Sequence, residues 1–138
     1  MKLKLKIPNV QILAVLIISF ISGSSFGQTQ NKNLLIGKWL FVTFELPKSS
    51  PTNAEYIFEN NKKYKDVIYV FTKSNEFKMQ KKSGSKNFNK QTTYKLTRDN
   101  RYIQLAVGQK MRIDYLDAHT LKIFVEGFQP TGIFKRIE

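Results

Sequence analysis

From Val67 to the C-terminus the sequence alternates apolar and polar residues in short runs, each ended by a turn of two to five residues. Side chains along an extended strand point to opposite faces with a period of two, so each run is a strand with one buried face and one wet face. Phe77 and Met79 alternate with Glu76, Lys78 and Gln80, and Tyr94 and Leu96 share a side between Thr92 and Thr97. Ile103, Leu105 and Val107 alternate with Gln104 and Ala106; Met111, Ile113 and Tyr115 alternate with Arg112 and Asp114. Leu121, Ile123 and Val125 alternate with Lys122 and Glu126, while Phe124 breaks the polar side. Val67 to Thr72 is apolar almost throughout, and Ile133 to Ile137 forms a last run. The turn signals between them are Ser74-Asn75, Ser83 to Asn87, Asp99-Asn100, Gly108-Gln109, Asp117-Ala118-His119 and Gln129 to Gly132.

Upstream, Ile36 to Leu46 is rich in aromatic and β-branched residues and reads as a long first strand. Pro47 to Asn53 is a Pro/Ser loop, and Ala54 to Tyr64 reads either as a short helix or as an extra strand. No helix of convincing length is predicted. The expectation is an all-β domain of eight strands whose short links impose antiparallel pairing in sequence order, a meander. Such a sheet has two open edges, and closing it into an antiparallel barrel removes both. Eight strands enclose either packed side chains or room for one small ligand.

The front of the chain has a different texture. Lys2, Lys4 and Lys6 precede an apolar run from Ile12 to Ile21, broken only by Ser19. Ser22 to Ser25 are small residues, and Ser25 and Gly27 occupy the −3 and −1 positions of a cut before Gln28. That order is a secretory signal peptide over residues 1–27. The apolar run is about half of what a membrane span needs, so no stable membrane anchor is expected. The expected location is periplasmic or secreted. The chain has no cysteine, which excludes disulfides and anchoring as a cysteine-acylated lipoprotein. Removal of 27 of the 138 residues leaves 111, enough for one domain at 28–138 with its own core. Its first residues, Gln28 to Asn33, are polar and expected to lack order. That domain keeps 20 Lys and Arg against 10 Asp and Glu, a surface that favours anionic partners such as an anionic envelope component. Export argues against nucleic acid.

Gly37-Lys38-Trp39 on the first strand resembles the Gly-x-Trp motif that opens lipocalins, and Arg136 on the last strand matches the arginine that lies across that tryptophan. The resemblance is to the short lipocalin-like domains of exported bacterial proteins. It implies that Gly37, Trp39 and Arg136 plug the closed end of a barrel, and that a small hydrophobic or amphipathic molecule is held at the other end. A guanidinium on an indole also joins the first strand to the last, which are neighbours only if the sheet closes.

No catalytic constellation is visible, and the domain is expected not to be an enzyme or to carry a metal or cofactor. The single histidine, His119, falls in a turn beside Asp117, and no thiol is present. Asp114 and Glu126 are placed to face each other across a hairpin, where Lys122 and Arg112 make them ordinary ion-pair partners. Eleven Phe, six Tyr and one Trp supply the interior, with Phe41, Phe71, Phe77, Tyr94, Tyr115 and Phe134 at inward positions. Candidate ligand contacts in an apolar cup are Phe71, Phe77, Met79, Tyr94 and Tyr115. The alternative is a solid barrel that meets a protein or a polyanion through its basic surface, notably Lys78 to Lys90. Large inward residues either fill a barrel or line it, so the sequence leaves these two readings open.

Overall fold

A computed structural model describes residues 31–46, 54–84, 86–128 and 130–138. The leader 1–27 and the loop 47–53 lie outside the described residues. The strands are β1 (Gly37–Glu45), β2 (Val67–Phe71), β3 (Glu76–Lys81), β4 (Lys90–Thr97), β5 (Tyr102–Leu105), β6 (Lys110–Leu116), β7 (Thr120–Val125) and β8 (Thr131–Arg136). All neighbours pair antiparallel in chain order, and β1 pairs with β8 to complete a closed barrel. The eight-stranded meander is the one the alternation predicts. β8 begins two residues before the expected Ile133, because Thr131 and Gly132 already pair with both β1 and β7.

One element differs from expectation, and one open choice is decided. Asn31 to Leu35 is helical, not an unordered lead-in, and Leu35 is fully buried. Ala54–Tyr64, for which the sequence leaves helix and strand open, is the eleven-residue helix α1. Its inward face is Ile57, Asn60, Asn61 and Tyr64, a helical spacing with two amides in its middle. Phe58, in contrast, is 67% exposed. This apolar residue on the wet side hides the helical period.

β1 outruns β2: their pairing stops at Leu40 and Ile68. Beyond that point the Phe44 N–H donates to the Asn61 side-chain oxygen at 2.9 Å, so α1 supplies the partner that β2 does not. The Lys81 ammonium donates to the carbonyl of Lys63 at 3.1 Å and ties the far end of α1 to β3.

Two register shifts re-aim side chains. One lies in β1 between Phe41 and Thr43, and it leaves Val42 outside and turns Phe44 onto the Phe41 ring, with centroids 4.7 Å apart. The other lies in β6 between Ile113 and Tyr115. It brings Leu116 opposite the buried Leu121 and sends Tyr115 outward, 48% exposed. The expected inward position of Tyr115 is corrected accordingly: strict alternation fails across a bulge.

Candidate functional site

The two ends of the barrel are built differently. At one end the stretch 31–35 runs into Gly37 and β1. The Trp39 indole is fully buried and donates from Nε1 to the carbonyl of Leu35 at 2.8 Å. The Arg136 guanidinium lies over that ring, 4.5 Å from its centroid. It also donates to the carbonyls of Ile36, at 3.0 Å, and Leu34. Trp39 and Arg136 are direct register partners across the β1–β8 seam. Gly37 has φ +144°, and a Cβ there would stand 2.5 Å from Arg136 Nη1 and 2.6 Å from the carbonyl of Glu138. Only glycine combines that backbone angle with that close approach. One indole, one guanidinium and three carbonyls thus close this end as a unit.

The opposite end holds a cavity of about 560 Å³. Its apolar wall includes Tyr69, Phe77, Met79, Leu105, Met111 and Val125, and its rim includes Tyr64 of α1, Asn89, Lys90, Gln109 and Phe128. A volume of this size is within the range of small-molecule sites. The cavity exists because the aromatic residues are unevenly distributed. Phe41, Phe44, Tyr64, Tyr69, Phe128 and Phe134 form a connected ring cluster on the β1, β2 and β8 side, with centroid separations from 4.5 Å upward. The β4 to β7 wall of the cavity presents smaller or unbranched side chains: Thr92, Leu105, Met111 and Val125.

Of the five expected ligand contacts, Phe77 and Met79 line this cavity. Phe71 and Tyr94 are buried below it, their rings edge to face at 5.2 Å, and the Tyr94 hydroxyl donates to the carbonyl of Thr72 at 3.2 Å. They form its floor support and not its wall. Tyr115 lies on the outer surface, where its hydroxyl donates to Asp117 at 2.8 Å. The five candidates omit Tyr69, Leu105, Met111 and Val125 of the wall and Tyr64, Lys90, Gln109 and Phe128 of the rim. Val125 was legible from alternation and Lys90 from the basic hairpin. Tyr64 and Phe128 enter from a helix and a turn, where no period of two announces an inward side chain.

Burial raises the Tyr69 phenol well above its ordinary pKa, with a smaller contribution from Tyr64, so it stays a neutral hydroxyl in the wall. Tyr64 is raised for the same reason, burial first and then the neighbouring Tyr56. The cavity therefore offers apolar surface, hydroxyls, amides and one ammonium, groups chemically able to orient a small molecule. Among the described residues, no three of His, Asp and Glu come together to hold a metal ion. Asp114 and Glu126 do not face each other, because the β6–β7 register sets Glu126 beside Lys110, four residues from Asp114. Asp114 pairs with Arg112 at 2.5 Å, and Glu126 with Lys110 at 3.7 Å. His119 is exposed in its turn.

No protein-family profile and no curated protein matches the chain. Among solved structures, a DUF4847 family protein from Bacteroides vulgatus ATCC 8482 is similar, at 14% identity and a TM-score of 0.45 over 74% of this chain and 93% of that one.

Proposed function

We propose that the protein is an exported, lipocalin-like binding protein, periplasmic or secreted, that holds a small apolar or amphipathic molecule in the barrel cup. The observation that carries this reading is the asymmetry of the two ends. One is shut by Trp39 and Arg136 across the strand seam, and the other holds a cavity of about 560 Å³ with an apolar wall and a polar rim. A barrel that works only through its outer surface has no need of such a cavity, since larger inward side chains could fill it. The basic leader, apolar run and small-residue exit of residues 1–27 support export.

Gentle native mass spectrometry of the exported form tests both parts. The expected result is a chain starting at Gln28 that carries a discrete extra mass, extractable into organic solvent as a small amphiphile. A bare chain across several preparations, together with no uptake of added amphiphiles, would sink the cup reading. A chain retaining residues 1–27 would sink the export reading.

A further inference from the structure

We infer that the cup selects an anionic amphiphile, with the Lys90 ammonium receiving its carboxylate or phosphate head and the apolar wall receiving its chain. This rests on the cup reading above and adds the charge of the ligand. Lys90 is the register partner of Met79, and Met79 of Tyr69. All three line the cavity, so one row of the sheet runs from a cation at the rim to a buried ring at the wall. A single-chain amphiphile has the same order of polarity.

The surrounding charges favour an anion there. From Phe77 to Arg98 the chain carries seven Lys and Arg and no acid. Three lysines outside the cavity lining are already engaged. Lys110 meets Glu126 at 3.7 Å and the Tyr102 ring at 4.6 Å. Lys122 meets Glu45 at 2.9 Å, while Lys81 binds the Lys63 carbonyl and stands 5.1 Å from the Phe88 ring. Among the described residues Lys90 has no carboxylate partner. Asn89 and Gln109 share the rim and offer amide donors to head-group oxygens. An ammonium beside an apolar wall gains more from an anion than from a neutral hydroxyl, and an ion pair at a partly exposed rim is worth roughly fivefold in affinity.

The test compares three probes of equal chain length, dodecanoate, dodecanol and dodecyltrimethylammonium. Each is titrated below its micelle concentration into delipidated 28–138 by calorimetry. Dodecanoate is expected to bind at least roughly fivefold tighter than dodecanol, with the cationic probe weakest. Lys90→Gln should abolish that preference and Lys90→Glu should reverse the order of anion and cation. Lys95→Gln, an exposed lysine whose strand position faces away from the cup, should leave the preference unchanged. Equal affinity for dodecanoate and dodecanol, or a preference that survives Lys90→Gln, overturns the anionic assignment and leaves the cup standing. No binding of any probe overturns both.

Discussion

Trp39 ties the start of the barrel to its last strand, about a hundred residues away. Its indole N–H holds Leu35, its face holds Arg136, and Arg136 in turn holds Leu34 and Ile36. Removing a fully buried indole costs transfer energy and leaves a cavity, together about 3–5 kcal/mol. Here it also exposes Arg136 to an empty site, whose stacking over the ring is worth on the order of 2 kcal/mol when desolvated. Trp39→Ala is therefore expected to lower stability by at least about 3 kcal/mol in urea or thermal melts. An unchanged melting temperature would show that the closed end is not held by this residue. Gly37, Trp39 and Arg136 were legible in the sequence because each carries a rare demand: a positive φ, a large buried ring, and a cation that needs a face. Leu34, Leu35 and Ile36 were not, since they contribute mainly backbone carbonyls, and a carbonyl carries no sequence signature.

At the scale of elements, the turn between β6 and β7 is organised by Asp117. Its carboxylate accepts from the backbone N–H groups of His119 and Thr120, both at 2.7 Å, and from the Tyr115 hydroxyl. The His119 N–H is the largest cause that holds the Asp117 carboxyl below its ordinary pKa, followed by the Tyr115 hydroxyl and the Thr120 N–H. A carboxylate lowered in the folded state contributes stability that is present above about pH 4, the ordinary aspartate value, and is lost as pH falls through the lower folded value. Asp117→Asn should accordingly flatten the acid limb of the stability–pH curve and speed hydrogen exchange at His119 and Thr120 at neutral pH. Unaltered exchange at both amides would count against this account. The bulge just before this turn is also where strict alternation misplaces Tyr115. A period of two predicts orientation only while the register is unbroken, and an inserted residue such as Asp114 exchanges the two faces. α1 was obscure for a related reason: its inward face carries two amides, one of which, Asn61, answers the open edge of β1, so it lacks the apolar stripe by which a helix is usually recognised.

At the scale of the whole molecule, the barrel and its eight strands follow from alternation and short turns, whereas the cavity does not. A cup rather than a solid core arises from where the large rings sit: clustered on β1, β2 and β8, and sparse opposite. Composition counts eighteen aromatic side chains but does not say on which side of a barrel they fall. The seam between β1 and β8 carries the closure: opening it frees the edges of β1 and β8, and removing β8 frees those of β1 and β7. A chain ending at Pro130 is expected to lose cooperative melting and to elute from a sizing column as aggregate. Addition of a peptide spanning Thr131 to Glu138 should restore part of the native near-ultraviolet signal. A monomeric, cooperatively melting truncation would show that the other seven strands suffice.

That seam also sets the timing of folding. Trp39 meets Arg136 and Lys38 meets Glu138, the backbone N–H of Lys38 reaching the carbonyl of Glu138 at 3.0 Å. A polypeptide made from its N-terminus waits through almost the whole length of the domain before the first strand meets its last partner. Closing so long a loop is entropically costly and slow. Until β8 is made, the edge of β1 that it covers has no strand partner, although β2 is already in place on the other side. A domain wired in this way folds only after nearly all of it has been made, an order that fits the export proposed above.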